Sequence, residues 1–529
     1  MKGRGPNLAD FSEAGISRSN FLESDPGQND RELNESTRRP IRVSTFEIAT
    51  IAAICASYLL YQDLFGDRHL DSANSAGPIA LSAVLLVSAL RSIYIDPRAL
   101  WTALFWFRIA TTVYFGFGQL APLFMNDFTK FYFTTYFDPS PQDLLKLNVI
   151  VAFGTLSTLT GAKLLSHLLV LRDTSKEATK SGSTTPIPLG AVFLLCGAAV
   201  KYGFVVPEAL GWTTTVPPGA LSMLANLSLA GIYLVSLGAL RGGNRVAMFA
   251  VSLFVALDMA TGLVMLTKGE MMLPAVVFAM ALLIHRLTPL RLTLAITVFA
   301  LMFQGLIPVI SQARTAMADL NIEERDVGLD QRIAFIRDGL QSDPSDQNLE
   351  AYQGGYLRLS YASIGGLLVT AYDQGTPGQS LTLLPAVFVP RLLWPEKPLI
   401  NLGQQMSVLV SGIDQSAMGV GLFFEAYWNL GWLGVPLLMI PFGGCLYLLS
   451  NYALRVQLHE DFIFMPALFM AMRVGASIDN HYVTQIGAVV QIVALHVILL
   501  GTARMARVIL PSVDQDVAVN FEPDTPARS

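Results

Sequence analysis

The feature that most constrains this chain is a succession of apolar blocks, each roughly 18 to 25 residues long and separated by short polar stretches. A helix of that length crosses about 30 Å of hydrocarbon, and helices or closed barrels are the only spanning structures that leave no backbone polar group unpaired in lipid. Composition agrees: 52% of the 529 residues are hydrophobic and 14% are charged, against about a quarter charged in soluble domains. The expected fold is an all-α, polytopic integral membrane bundle of about twelve transmembrane helices with one large external loop.

The apolar windows place spans near 44–64, 77–95, 99–123, 147–171, 187–207, 221–240, 246–266, 271–289, 292–311, 432–453, 462–478 and 484–503. Lys and Arg concentrate in the loops on the cytoplasmic side of a membrane protein. Arg38, Arg39 and Arg42 precede the first span, Arg91 and Arg98 follow the second, and Arg172, Lys176 and Lys180 follow the fourth. Arg241, Arg245, Arg286, Arg291, Arg455, Arg504 and Arg507 continue the series on the same side. Both termini are therefore expected in the cytoplasm, residues 1–43 as a disordered tail and 504–529 as a second tail. The membrane domain divides into 44–311 and 432–503, with 312–431 outside.

Within that loop, 312–350 carries nine acidic and four basic residues, which predicts a solvated, partly helical cap. The stretches 356–372 and 381–393 are apolar but short or broken by Pro385 and Pro390, as suits interfacial or re-entrant segments. If both crossed fully, the span count would be fourteen. The first apolar block starts too far in for a secretory signal peptide. Cys55, Cys196 and Cys445 lie inside apolar blocks and suit helix packing better than disulfides. A net charge of -5 gives no nucleic-acid footprint, and no phosphate loop or Cys/His metal spacing appears. No metal or cofactor is expected.

Several polar residues can carry chemistry. The segment PRLLWPEKP at 390–398 sets Arg391 and Lys397 around Trp394 beside the membrane. The two cations suit a lipid-linked diphosphate, Arg gripping it in a bidentate fork; equally, they suit lipid phosphates or Glu396, with Trp394 as an interfacial anchor. The segment GLFFEAYWNLGWLG at 421–434 carries Glu425 as its one acid. Glu425 is either a base for a sugar hydroxyl, with Tyr427 and Trp428 offering flat faces to sugar rings, or the neutraliser of a loop arginine beside an aromatic belt. Arg314, Arg358 and Lys268, the last in the turn TKGE, are predicted at the same membrane face, where convergent cations stabilise a departing diphosphate; singly, each reads as a snorkelling end residue. Arg108 and Arg473 sit inside apolar blocks, where an unpaired charge costs about 2.5 kcal/mol or more, and Asp258 and Asp479 are candidate counter-ions. His481, near a helix end, reads first as a surface group and second as a proton acceptor.

The segments PRLLWPEKP, NLGQQMS at 401–407 and GLFFEAYWNLGWLG resemble the closing motifs of bacterial oligosaccharide repeat-unit polymerases, the Wzy-type or O-antigen polymerase family. Arg391, Trp394, Lys397, Glu425, Asn429 and Gly431 fall on the motif positions, and the TKG turn at Lys268 looks like the basic-Gly element of the family. The resemblance covers about 260–440; the acidic stretch 312–350 has no place in it. It implies a metal-independent glycosyltransferase of the bacterial inner membrane that joins polyprenyl-diphosphate-linked oligosaccharides at the periplasmic face. A chain-length regulator and a flippase are the implied protein partners, with membrane lipids around it. Arg391, Lys397, Arg314, Arg358 and Lys268 would hold diphosphate and Glu425 would act on the acceptor hydroxyl. An O-antigen ligase would use the same clamp with a different acceptor. A flippase for lipid-linked sugars is the alternative outside the enzymes, although related halves of the transporter kind are not apparent.

Overall fold

The computed structural model describes residues 43–65, 70–120, 140–170, 186–215, 221, 224–319, 327–341, 359–389, 394, 396–398, 402–411 and 418–509. Their regular structure is helical: α1 (Thr45–Phe65), α2 (Leu70–Ile95), α3 (Ala103–Ala110, continued by a π-helix Thr111–Phe117), α4 (Pro141–Val170) and α5 (Pro186–Val200, continued by a π-helix Lys201–Val205). Next come α6 (Val206–Ala209), α7 (Leu227–Gly242), α8 (Arg245–Val264), α9 (Lys268–His285), α10 (Pro289–Asp319), α11 (Leu329–Gln341), α12 (Ala362–Asp373) and α13 (Leu384–Phe388). The chain closes with α14 (Leu402–Ser411), α15 (Leu422–His459), α16 (Met465–Ala476) and α17 (Tyr482–Ile509). Among the described residues eight helices are long and apolar enough to cross a membrane, and three apolar helices are shorter. The protein is an all-α, multi-pass membrane protein.

Lipid tails are as apolar as Leu, so membrane helices associate by close packing of small residues rather than by hydrophobic exclusion. The pair α4 and α15 follows this rule. A Cβ added at Gly161 would stand 2.0 Å from the Ile440 carbonyl oxygen, and one at Gly443 would stand 1.8 Å from that of Thr158. Likewise α5 and α7 meet where Gly197 abuts the Ser228 backbone and Gly231 that of Leu194.

A straight helix of 38 residues such as α15 would be about 57 Å long, nearly twice the hydrocarbon thickness. It is broken at Gly431, where φ is 62 and ψ is -149. A Cβ on Gly434 would lie 2.2 Å from the Ala426 carbonyl oxygen, although eight residues of straight helix separate two positions by about 12 Å. The chain therefore doubles back at Gly431. A short arm, 422–430, folds against the start of the long arm, 432–459, and the predicted tenth span begins where the long arm does.

The intramembrane charges pair differently from expectation. Arg108 binds Glu47, both buried, with Nε to Oε1 at 2.9 Å and a second bond to Oε2 at 3.0 Å. Asp258 pairs with Lys201 at 2.9 Å, which also reaches Glu270 at 2.7 Å, and Asp479 takes a hydrogen bond from Tyr361. Neither aspartate serves Arg108 or Arg473, because each lies against another helix. The acidic stretch also differs: α10 runs on through 312–319, and α11 docks on the bundle through Arg332. That guanidinium, 1% exposed, donates to the carbonyls of Val327, Val264 and Ala209. The last two belong to the final turns of α8 and α6, where carbonyls lack helical partners and the dipole favours a cation. The apolar stretches of the loop form α12, of 12 residues, and α13, of 5, both too short to cross 30 Å as helices.

Candidate functional site

The short arm of α15 starts inside the bundle. Gly421 takes φ 76, a conformation that strains any side chain with a Cβ, and leads the segment 418–421 into the helix. Its N–H donates to the Asp479 carbonyl and that of Leu422 to the Ile478 carbonyl, both at 3.0 Å. This pairing binds the start of α15 to the turn 477–481 that joins α16 and α17.

Glu425, one turn in, is fully buried. Its Oε1 accepts the Ser380 hydroxyl at 2.5 Å and its Oε2 accepts the Tyr482 N–H at 2.6 Å. The second bond places a carboxylate on an otherwise unpaired N–H of the first turn of α17, a favourable position for an acid. Asn429, four residues on and so on the same face, donates to Ser380 Oγ at 2.9 Å and to the Glu425 carbonyl at 2.8 Å. His481 Nδ1 stands 3.8 Å from Glu425 Oε2. The imidazole is 4% exposed and lies against the Met418 backbone. Burial holds its pKa down to about 4, so the ring is neutral at pH 7. Asp479, two residues earlier, is raised by burial, as is the Tyr361 hydroxyl that donates to its Oδ2 at 3.2 Å. Phe115, Phe423, Phe424 and Tyr361 wall this group in an aromatic cluster.

The fold brings together Glu425, Ser380, Asn429 and His481 from three separate stretches of the chain. Other predicted residues lie elsewhere. Tyr427 is 2% exposed: its hydroxyl donates to Asp373 at 2.9 Å, its ring packs edge-on against Tyr372 and Trp432, and the Lys146 ammonium sits 5.0 Å from the ring centroid. It offers no open face to a sugar, a correction that follows from its place on the inner side of the Gly431 reversal. Trp428 is half-buried, lies against Gly378 and donates to the Thr376 carbonyl at 3.3 Å. Trp394 is exposed, and Lys397 is half-buried and donates to the Val389 carbonyl at 3.1 Å. Lys268 and Arg314 are half-buried and partnered. They belong to α9 and α10, which pack about a separate apolar cluster with α11, and no described contact joins them to Glu425. Arg358 and Arg391 lie outside the described residues.

His481 is a correction of another kind: it is buried against Glu425, not on the surface, because the turn 477–481 is drawn inward by its backbone bonds to Gly421 and Leu422. Ser380 and Tyr361 are absent from the predicted site, since a single polar residue in an irregular loop has no periodicity to mark it. Asn429 is marked by its spacing of four from Glu425. Comparison with family models, curated proteins and solved structures gives no match.

Proposed function

We propose that the protein is a lipid-carrier glycosyltransferase that polymerises polyprenyl-diphosphate-linked oligosaccharide repeat units at the periplasmic face of a bacterial inner membrane. In this reading the chain crosses twelve times with both termini cytoplasmic and 312–431 outside. The eight long helices, the three shorter apolar ones and the helical run 103–120 supply one segment for each of the twelve predicted spans.

The observation that carries the reading is the Glu425–His481 pair, 3.8 Å apart, whose Glu425 belongs to the helix that bears the polymerase-like motif. Neutral His481 would take the proton from an acceptor hydroxyl, while Glu425, fixed by Ser380 and the Tyr482 N–H, orients the imidazole and stabilises its protonated form. The acceptor oxygen then bonds to the anomeric carbon of the growing chain, and the bond from that carbon to the carrier diphosphate breaks with its electron pair. The departing diphosphate is a good leaving group and needs charge stabilisation rather than a proton; Lys397 and Arg391 of the 390–398 segment are the cations proposed for it. Holding two amphiphilic substrates at one membrane depth supplies much of the remaining acceleration. Glu425 is then a positioning residue and His481 the base.

The test is reconstitution of the purified chain in proteoliposomes with a purified polyprenyl-diphosphate-linked repeat unit. The expected product is a ladder of chain lengths, lost in His481→Gln and reduced in Glu425→Gln. A single transfer to a different acceptor, or translocation of the lipid without elongation, overturns the polymerase reading.

A further inference from the structure

Beside the buried Glu425–His481 pair the fold leaves a group of residues partly open. Tyr114, Tyr361, Gly419 and Asp479 are half-buried, whereas their neighbours Phe115, Phe424 and His481 are buried. The group is contiguous. The Tyr361 hydroxyl donates to Asp479 Oδ2 at 3.2 Å, and a Cβ on Gly419 would stand 2.4 Å from the Asp479 carbonyl oxygen and 3.4 Å from the Tyr361 ring. The Tyr114 and Tyr361 rings lie 5.6 Å apart at an interplanar angle of 89°, so they form a corner to which the Asp479 carboxyl is bonded. Asp479 itself stands two residues before His481 in the turn that carries both.

A second observation comes from Gln119. It lies one turn beyond Phe115 in the helical run 103–120, on about the same side, and Phe115 packs against Tyr361 at a ring distance of 5.7 Å. The adjacent Gly118 sets this end of the run against the Leu359 carbonyl and Ser360. Gln119 is 2% exposed, and among the described residues neither its amide oxygen nor its amide nitrogen has a hydrogen-bond partner. A buried carboxamide with both ends unpaired is rare, and a ligand that pairs with it in use is one of the few physical reasons for keeping it.

The chemistry narrows the ligand. Aromatic rings, a carboxyl that accepts and an amide that both donates and accepts suit a neutral ring bearing several hydroxyls, which lays its C–H face on the aromatics and pairs its rim. A diphosphate finds no cation among these four side chains, and an acyl chain leaves the carboxyl and the amide unpaired. We infer that Tyr114, Gln119, Tyr361 and Asp479 form the subsite that holds the acceptor sugar, whose hydroxyl faces His481. Enclosed in the free protein, Gln119 turns its side chain to meet the sugar. The inference rests on the proposed function in naming the ligand as the acceptor. Tyr114 and Tyr361 then take the part that Tyr427, turned into the bundle, does not.

The experiment uses the full chain in detergent, with the purified polyprenyl-diphosphate-linked repeat unit as one probe and sugar-free undecaprenyl diphosphate as the other. Native mass spectrometry gives dissociation constants for the first and the second lipid bound, since donor and acceptor are the same molecule. For Asp479→Asn and for Gln119→Met the expected result is a rise of about tenfold in one of the two constants for the repeat unit, as loss of one substrate hydrogen bond gives. Sugar-free carrier should bind as it does to wild type. Gln119→Met, which loses no partner in the free protein, should also keep or raise the apparent Tm. Unchanged repeat-unit binding in both variants, an equal loss for the sugar-free carrier, or a fall in Tm for Gln119→Met overturns the inference, the last because the amide would then be a structural group. Binding needs no transfer, so the two readings fail separately. A ladder with unaltered repeat-unit binding in both variants keeps the polymerase and sinks the subsite; a sugar-dependent loss without any ladder does the reverse.

Discussion

Replacing Gly431 by alanine tests the reversal on which the placement of Glu425 depends, because the sign of the effect differs between the two possible shapes of α15. With φ 62 and ψ -149, residue 431 occupies a region open in practice to glycine alone, and a Cβ there costs about 1–3 kcal/mol. That Cβ would also meet Tyr372, with the hydroxyl oxygen at 2.6 Å and ring carbons at 2.7 Å. Tyr372 is held by Tyr427, at a ring-centroid distance of 5.3 Å, so relief of the clash adds about 1–3 kcal/mol of overpacking. A loss of roughly 2–6 kcal/mol is expected. Were α15 a continuous helix through 431, alanine would instead stabilise it by up to about 1 kcal/mol. Fluorescence-detected size-exclusion after heating gives the apparent Tm in detergent. A clear drop is expected for Gly431→Ala and for Gly434→Ala, whose Cβ would meet the Ala426 carbonyl at 2.2 Å. An unchanged or higher Tm for both refutes the reversal.

Removing the Glu425 side chain as Glu425→Ala strands the Ser380 hydroxyl and the Tyr482 N–H, at about 1–3 kcal/mol each, and the apparent Tm should recover in part in Glu425→Gln, which keeps one acceptor. Acid should also destabilise the protein through His481. The native ring holds its pKa near 4 against an ordinary 6.5, so above that ordinary value the group contributes no pH dependence, while between the two the unfolded chain takes up a proton that the native chain does not. Stability then falls with pH by about 3 kcal/mol in total, and His481→Gln should flatten thermal-melt profiles across this window. Asp479→Asn should leave the Tm at pH 7 unchanged or higher, since the amide oxygen still accepts from Tyr361 while the burial cost of a carboxylate disappears; a marked fall would mean that the charge itself is needed. Arg332→Ala should free α11 from the ends of α6 and α8, seen as faster limited proteolysis within 327–341 and unaltered cleavage elsewhere.

Much of the helical framework was legible because apolar block length is a one-dimensional property. The start of the long arm at 432 and the helix Arg245–Val264 both follow from where apolar runs begin and end. Pairing of charges was not legible, because it depends on which helices are neighbours. Arg108 finds Glu47 across 61 residues, and Lys201, on a π-helix within an apolar run, gathers Asp258 and Glu270. The candidate site shows the same division. Glu425 and Asn429 stand out by their spacing in one helix, whereas Ser380 arrives from 45 residues away and the Tyr482 N–H from 57. His481 reads as a helix-end residue in sequence, and only the backbone bonds of Gly421 and Leu422 to its turn draw it inward. Tyr427 looks like a sugar platform within an aromatic string, yet the Gly431 reversal turns it into the bundle.

The most direct measurement of the central claim is to delete the gene in its host and resolve surface polysaccharide by size, complementing with wild type, Glu425→Ala, His481→Gln and Arg391→Ala at matched membrane levels. The account predicts loss of long chains with retention of a single capped repeat unit, restored by wild type, not by His481→Gln or Arg391→Ala, and at most weakly by Glu425→Ala. Unchanged chain length on deletion, or carrier-linked units accumulating on the cytoplasmic side, would contradict it.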